Sequence, residues 1–296
     1  MYKQDELEKW MKAGKICAQV KEFSVPLVKR DAKLLEVADK IEAKILELGG
    51  KPSFPVNIGI NEKAAHFTPF HDDVTTFSED LVKLDFGVAL EGFITDNAVT
   101  IDLTKDKRYG KMIAATEQAF QEAAKFAVPG MEVNKIGAKI HEIITSAGFS
   151  PIRNLSGHEI KPFIIHAGIT IPNYDNGNTS KLRDGMIISI EPFATTGVGE
   201  VVDGKPSGDF RMHEKKPVRD SFSRKILEFI EKEYSTMPFA SRWLVKKFGT
   251  RVLFTIKQLE QSGVLHNYRE LVEKSKAPVT QHENTILVSE KPKILT

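Results

Sequence analysis

LVKLDFGVALEGFITDNAVTIDL, residues 81–103, is the stretch around which the rest of the chain is organised. Two runs rich in Val, Ile, Leu and Phe flank Glu91-Gly92, and this pattern predicts two strands joined by a tight turn. A two-residue turn there places Asp85 opposite Ala98. Because side chains alternate between the two faces of a strand, Asp96 shares a face with Ala98 and therefore with Asp85.

The two carboxylates of this hairpin are diagonal neighbours across the strands, with backbones roughly 7–8 Å apart. Burying two unpaired anions in such a position is costly. A divalent cation bound between Asp85 and Asp96 would remove that cost. The alternative interpretation is that both residues lie at solvated strand ends, and the hairpin alone does not decide between the two.

Composition limits the possible classes of protein. A length of 296 residues allows one large domain, or a domain with an insertion, and a sizeable core. The formal net charge of +2 argues against a protein specialised for nucleic acid or acidic substrates. Cys17 is the only cysteine, so no intramolecular disulfide can form. The charged N-terminal segment is unlike a signal peptide and no apolar run reaches membrane-spanning length, so we expect a cytoplasmic protein without membrane contact.

The order of predicted elements repeats along the chain. Four helical segments occur in two pairs, 5–25 with 31–48 and 108–128 with 134–147. Asp31 is the predicted N-cap of the second helix. Each pair precedes a Pro-punctuated loop carrying histidine and then a strand carrying a carboxylate. A duplicated α/β unit with a pseudo-twofold axis explains this order, and a coincidence of common elements is the alternative.

Residues 200–270 depart from the repeat. A stretch rich in Gly, Pro and Lys leads into three predicted helices, 221–234, 239–247 and 250–262. This pattern predicts a helical subdomain inserted before the last strand. Its Lys and Arg residues would suit a nucleic-acid-binding winged helix, but the Glu residues mixed with them favour a solvated surface.

Five potential metal ligands lie in or beside apolar strands: Asp85, Asp96, His158, Glu191 and Glu283. Four carboxylates and one imidazole suit hard or borderline divalent ions, and carboxylates readily bridge two of them. Each residue alone could be an ordinary core or surface residue, but four acids in apolar strands are difficult to explain without cations. The sequence contains no HExxH zinc motif, Walker loop or GxSxG elbow.

Six segments, in this order, closely resemble the type II methionine aminopeptidases: NEKAAHFTP, KLDFGVALEGFITDNAVT, NLSGH, IHAGITIPN, SIEPFAT and QHENT. The chain looks like the short archaeal-like form of this family. The resemblance implies an α+β fold, the pseudo-symmetric pita-bread fold, in which a curved antiparallel sheet carries helices on its outer side. The catalytic domain would comprise residues 1–199 and 271–296, with 200–270 as an inserted, winged-helix-like helical subdomain.

The resemblance also implies a centre of two divalent metal ions, with Co, Mn, Fe or Zn as candidates. Asp85 would hold one ion, and His158 and Glu191 the other. Asp96 and Glu283 would bridge the two ions. A water molecule activated by the ions would be the nucleophile, and Glu191 would act as its general base.

The same resemblance assigns residues to the substrate. His66 would contact the scissile amide, and His166 would polarise the carbonyl or stabilise the oxyanion. Phe54, Ile165, Phe193 and Tyr268 would line an apolar pocket for the methionine side chain. One departure concerns the last ligand, since the family usually follows that glutamate with His-Thr. Here Asn284-Thr285 follows Glu283 and His282 precedes it, which puts the strength of metal binding in question.

The implied activity is removal of the N-terminal methionine from nascent proteins and peptides when the next residue is small. The chain would then be a cytoplasmic, monomeric metallohydrolase with no specific nucleic-acid partner, and ribosome association is left open. Two alternatives come from other classes, a non-catalytic pita-bread binding protein and an X-Pro peptidase. Release of methionine from Met-Ala-Ser against hydrolysis of an X-Pro peptide would discriminate the enzymes.

Overall fold

The computed structural model describes residues 2–296. Its seven helices are α1 (Gln4–Ser24), α2 (Leu34–Glu47), α3 (Gly110–Ala124), α4 (Val133–Ser146), α5 (Ser221–Tyr234), α6 (Ser241–Phe248) and α7 (Val252–Gln261), with a 3₁₀ turn at Val25–Leu27. All four helices predicted outside residues 200–270 are present within a few residues of their expected bounds. Within the described range, no helix combines the length and apolar character that crossing a membrane requires.

The predicted N-cap of α2 was wrong. The helix begins at Leu34 with Lys33 as the N-cap residue, and Asp31 lies before it with φ 66°. The reason is a tertiary contact. The Asp31 amide donates to the Phe77 carbonyl, and the Phe77 amide donates to the Ala32 carbonyl. These bonds tie the segment before α2 to another loop, so the helix begins later than a cap at Asp31 would allow.

The strands are short and numerous. They are β1 (Lys51–Pro52), β2 (Asn57–Ile60), β3 (Lys63–Ala65), β4 (Leu81–Asp85), β5 (Val88–Leu90), β6 (Phe93–Ile94), β7 (Asn97–Asp102), β8 (Ser150–Pro151), β9 (Ser156–Lys161), β10 (Ile164–Pro172), β11 (Ile187–Ile190), β12 (Phe193–Thr195), β13 (Val201–Met212), β14 (Phe239–Ala240), β15 (Leu265–Glu273), β16 (Val279–Gln281), β17 (Glu283–Leu287) and β18 (Lys293–Ile294). The largest sheet has the order β10-β9-β11-β17-β7-β4-β2, with β18 paired to β17. Every pairing in it is antiparallel, as an α+β fold requires.

The two helix pairs cover two parts of this sheet. Helices α1 and α2 contribute Val20 and Ile41 to a core that includes Val82 of β4. Helices α3 and α4 form a second core with residues of β11 and β17, including Ile188 and Ile286. The arrangement agrees with the duplicated unit expected from the order of elements. Because successive strand residues alternate in direction, residues such as Asp85 are left for the opposite face.

The hairpin has the register expected from its turn. Asp85 pairs with Ala98, and the same register continues on the turn side of the strands, where Leu90 pairs with Phe93. Both turn residues have positive φ, 53° at Glu91 and 87° at Gly92, as a two-residue hairpin turn favours.

Each predicted strand of the hairpin is interrupted, however, and its distal part joins β1 in a separate three-stranded sheet. A Cβ atom at Gly87 would lie 1.9 Å from the Thr95 carbonyl oxygen. Glycine therefore permits the close approach of the two chains where the strands break.

Residues 200–270 form more than helices. Helices α5, α6 and α7 share a core that includes Ile226, Leu244 and Ile256. The stretch rich in Gly, Pro and Lys is largely strand β13, which pairs with β15, and β15 pairs in turn with β3. Backbone pairing thus connects this segment to the strand that precedes His66, and the division into a catalytic domain and an inserted subdomain stays a prediction.

Candidate metal centre and substrate pocket

A pocket of about 260 Å³ opens on the face of the main sheet that the helix pairs leave free. Every site residue singled out in the sequence lines it: Phe54, His66, Asp85, Asp96, His158, Ile165, His166, Glu191, Phe193, Tyr268 and Glu283. The structure therefore brings together residues that are spread over most of the chain.

Strand register positions the carboxylates. Ala98 of β7 pairs with Asp85 of β4 on one side and with Glu283 of β17 on the other. Asp96, two residues before Ala98, projects to the same face. Three carboxylates, on β4, immediately before β7 and on β17, thus point to one side of the sheet, with the small Ala98 side chain between two of them.

The remaining two candidate ligands come from the next strands. Nε2 of His158, on β9, lies 3.4 Å from Oδ2 of Asp96 and 3.8 Å from Oε1 of Glu191, which directly follows β11. One potential ligand atom from each of Asp96, His158 and Glu283 lies within 4.8 Å of the other two. These three residues could hold one ion, with Asp85 and Glu191 at the margins of the cluster.

The electrostatics of the cluster fit a cation. Burial, together with neighbouring carboxylates, raises the pKa of Asp85, Glu191 and Glu283 well above the usual range, and burial raises that of Asp96 to about 7. Burial lowers the pKa of His158 to about 4, so its imidazole is neutral at pH 7, the form that binds metal. Negative charge is disfavoured here until a cation compensates it.

Hydrogen bonds within the protein satisfy only some of the carboxylate oxygens in the cluster. Glu283 accepts from Ser189 Oγ and, at 3.0 Å, from Gln281 Nε2. Across the described chain, Oδ1 of Asp85 and Oδ1 of Asp96 are buried without a hydrogen-bond partner. Buried carboxylate oxygens are normally paired, so these orphaned atoms fit a divalent metal and the residues present are suited to hold one.

Two further histidines border the ligands. The His166 ring packs edge-on against His158 with centroids 4.6 Å apart, and the His66 ring lies 5.2 Å from that of Tyr268. Burial lowers the pKa of His66 to about 4 and that of His166 to about 3, so both are neutral at pH 7. His66 also has φ 63°, an uncommon conformation for a residue other than glycine.

The rest of the pocket has an apolar wall and several polar residues that the sequence did not indicate. Phe54, Ile165 and Phe193 are buried in this wall. Unanticipated lining residues include Asn57, Asp209, Pro238 and Gln281. Alternation within the ligand strands could have found Gln281, two residues before Glu283. Asp209 carried no such signal, because it lies within the stretch rich in Gly, Pro and Lys, which shows no clear alternation.

The residues flanking Glu283 face the other side of the sheet. Asn284 Oδ1 accepts from Lys21 Nζ of α1 at 3.1 Å, and Asn284 Nδ2 lies 3.1 Å from His282 Nε2. The His282 ring packs against Phe120 of α3, with centroids 5.1 Å apart. The departure from the family's His-Thr therefore concerns contacts between β17 and the helices, at a distance from the pocket.

Sequence comparisons relate the chain to metallopeptidases. Residues 8–226 match metallopeptidase family M24. The chain is 42% identical over 294 residues to the methionine aminopeptidase of Pyrococcus abyssi, covering 98% of this chain and 99% of that protein. It is 40% identical over 284 residues to the methionine aminopeptidase of Methanocaldococcus jannaschii, covering 96% of this chain and 95% of that protein.

Solved structures share the fold. A thermophilic Arx1 superposes with a TM-score of 0.88 at 18% identity, covering 100% of this chain and 91% of that one. A methionine aminopeptidase from Thermotoga maritima superposes with a TM-score of 0.72 at 22% identity, covering 100% of this chain and 98% of that one. Identities this low concern the fold alone, and the expected pita-bread fold is confirmed. By its sequence match and by its near-full-length relatives, the chain belongs to metallopeptidase family M24.

Proposed function

We propose that this protein is a methionine aminopeptidase that removes the N-terminal methionine when the next residue is small. The observation that carries the proposal is the cluster of four carboxylates and one neutral imidazole beside an apolar wall in a single pocket. Identity of about 40% over nearly the full length of methionine aminopeptidases supports it.

Two divalent ions would be held by five residues, Asp85, Asp96, His158, Glu191 and Glu283. When bound, the ions supply Lewis-acid activation of water and of the peptide carbonyl. Asp96 and Glu283 would bridge them, since each has carboxylate oxygens directed into the cluster. The identity of the ions among Co, Mn, Fe and Zn depends on supply as well as on ligand type.

Glu191 would take the proton from the attacking water. It lies at the edge of the cluster, where burial and the neighbouring carboxylates raise its pKa. Bound cations would compensate the negative charge of the cluster, so that Glu191 is ionised and able to accept a proton. A carboxyl group with a raised pKa accepts a proton more readily near neutral pH than an ordinary glutamate does, which is what a general base requires. The same group could then return that proton to the amine that leaves.

His66 and His166 would act on the scissile bond. Both imidazoles are neutral at pH 7, so each offers one N–H donor and one acceptor. A donor directed at the carbonyl oxygen stabilises the charge that develops there. His166, packed edge-on against the ligand His158, would have this role, and His66, beside Tyr268, would contact the scissile amide.

Specificity would come from the two ends of the pocket. The apolar wall of Phe54, Ile165, Phe193 and Tyr268 suits an unbranched thioether side chain. The acidic cluster would receive the free amine of the substrate, so that only the first residue of a peptide fits. The finer properties belong to the same proposal: the type II, short archaeal-like form, action on nascent chains in the cytoplasm, a monomeric state, and an inserted subdomain at residues 200–270.

The decisive experiment compares Met-Ala-Ser with an X-Pro peptide, using protein purified without added metal. We expect no hydrolysis after chelation, methionine release from Met-Ala-Ser after addition of single ions, and no cleavage of the X-Pro peptide. Metal bound per chain, measured alongside, should approach two. Preferred X-Pro cleavage would assign the chain to the prolidases, and metal binding without any hydrolysis would indicate a binding protein.

A further inference from the structure

Asp209 is a carboxylate in the substrate pocket that neither the proposed metal centre nor the proposed catalysis uses. It lies in β13 and pairs with Ala240 of β14. The next residue, Phe210, pairs with Asn267 of β15, so Asp209 comes beside Tyr268 in the ladder. Asp209 is 3% exposed and lines the pocket together with Tyr268, Phe54 and Ile165. Its position beside Tyr268 places Asp209 next to the wall proposed for the substrate's first side chain.

The carboxyl group of Asp209 lacks a full set of partners. Its Oδ1 atom is buried and, among residues 2–296, has no hydrogen-bond partner. The nearby cation, Arg242, is fully buried and donates elsewhere, to Glu42, to Thr68 Oγ1 and to the Pro69 carbonyl. A buried oxygen of this kind normally has a partner, so the free oxygen is available to a ligand that enters the pocket.

The surroundings of Asp209 favour its neutral form. Burial raises the pKa of the carboxyl group well above its usual range, although Asn57 and the charge of Arg242 act in the opposite direction. A neutral carboxyl group carries one O–H donor, which an ionised one does not. A carboxylic acid kept neutral by an apolar site can serve as a hydrogen-bond donor at pH 7.

We propose that Asp209 recognises the sulfur atom of the substrate's first side chain by donating a hydrogen bond from its carboxyl group to the thioether. The inference rests on the proposed methionine specificity and deepens it. A thioether sulfur is a weak acceptor, and a purely apolar wall cannot distinguish it from a methylene group. Asp209 gives the pocket a means of selecting methionine over an unbranched hydrocarbon side chain of the same length.

The test compares Met-Ala-Ser with norleucine-Ala-Ser, in which a methylene group replaces the sulfur. The ratio of kcat/KM for the two peptides is measured for the metal-loaded wild type and for Asp209→Asn and Asp209→Leu. The asparagine side chain has the same size as aspartate, retains a hydrogen-bond donor and never ionises. The leucine side chain fills a similar volume without a donor. Asp203→Leu on the exposed part of the same strand is the matched control, because it removes a carboxylate outside the pocket.

We expect the wild type to prefer the methionine peptide by about three- to tenfold, the range that a single modest hydrogen bond gives. Asp209→Asn should keep this preference within about twofold, and Asp209→Leu should lose it, while Asp203→Leu leaves it unchanged. Thermal unfolding of each variant verifies that the folded fraction is comparable.

Three outcomes would overturn the inference. The first is an unchanged ratio in Asp209→Leu, and the second is loss of the preference in Asp209→Asn. The third is efficient cleavage of Lys-Ala-Ser by the wild type but not by Asp209→Leu, which would make Asp209 an anionic site for a cationic side chain. Failure of the proposed function is distinguishable, because the wild type would then not release methionine from Met-Ala-Ser at all.

Discussion

The metal-ligand cluster and the side-chain wall of the pocket are built in different ways. The candidate ligands lie on, directly before or directly after neighbouring strands of one antiparallel sheet, whose register fixes their spacing. The wall is assembled from separate parts of the molecule, with Ile165 on that sheet and Asp209 and Tyr268 on strands of another. The proposed chemistry thus rests on one sheet, whereas the proposed selectivity rests on the fit between several separate parts of the molecule.

The two regions also differ in what limits their stability. In the ligand cluster, buried carboxylates repel one another, so removing an acid from the metal-free protein relieves a cost. In the wall, apolar burial is favourable, and removing a large side chain forfeits contacts. Substitutions in the first region should therefore change metal content, and substitutions in the second should change substrate affinity. Four experiments test this distinction.

The largest effect is expected for Asp96→Ala. The variant should fold, bind no stoichiometric metal and have activity at background, because the cations are left with too few anions. Metal analysis and peptide hydrolysis measure the two quantities, with Asp106→Ala as a control at an exposed acid. Full metal content and normal turnover in Asp96→Ala would exclude a bridging role.

A smaller loss is expected for His166→Ala, which removes a side chain next to the proposed ligand His158 without removing a proposed ligand. Metal content should stay at the wild-type value and kcat should fall by about 10²–10³-fold, as for loss of an oxyanion donor. If the variant loses metal, His166 is a ligand and the proposed division of roles is wrong.

Substitution of Tyr268 addresses the wall. Tyr268→Ala should weaken transition-state binding of methionine peptides by about 1–3 kcal/mol, through lost apolar contact, with metal content unchanged. Tyr268→Phe keeps the ring and should behave much like the wild type. Unchanged kcat/KM in a folded but less stable Tyr268→Ala protein would mean that the side chain only anchors β15.

The fourth experiment concerns the pH dependence of stability in the metal-free protein. The folded pKa of Asp96 is about 7, above the ordinary value of 3.8, so the folded state binds a proton that the unfolded state releases between these values. Stability contributed by this group is present at low pH and lost as pH rises through that window. Asp96→Asn should therefore be more stable than the wild type by an amount that grows from about pH 4 to about pH 7.

Urea unfolding of both metal-free proteins at several pH values measures this difference, and shared contributions from other groups largely cancel in it. Asp106→Asn, at an exposed position, should differ little from the wild type at every pH. A difference between Asp96→Asn and the wild type that shrinks with rising pH would show that Asp96 is charged in the folded apoprotein.

Much of the ligand cluster could be predicted from sequence because its determinants are local. The turn at Glu91-Gly92 fixes the hairpin register, and alternation along strands then decides which carboxylates share a face. The interruption near Gly87 was not predictable, because it depends on the approach of Thr95 and on pairing with β1. The start of α2 likewise depends on hydrogen bonds to a distant loop.

The side-chain wall was harder to predict for a related reason. Asp209 lies within a segment rich in Gly, Pro and Lys for which the sequence predicted no strand, and its pairing with β14 and β15 makes it one. The family resemblance pointed to Tyr268 but not to Asp209 or Asn57. Residues that matter because two sheets meet leave no periodic signature in the sequence.

The pairing of Ala98 with both Asp85 and Glu283 has a consequence for synthesis of the chain. Strand β4 precedes β7 closely, but about two hundred residues separate Asp85 from Glu283 on β17. At the usual speed of translation, roughly 10–40 s pass between the emergence of the first and last of these strands. During that interval β7 has an unpaired edge in the centre of the future sheet, where association with other chains is a hazard. The full set of ligands exists only when that edge is covered, so selection of the metal follows the closing of the sheet.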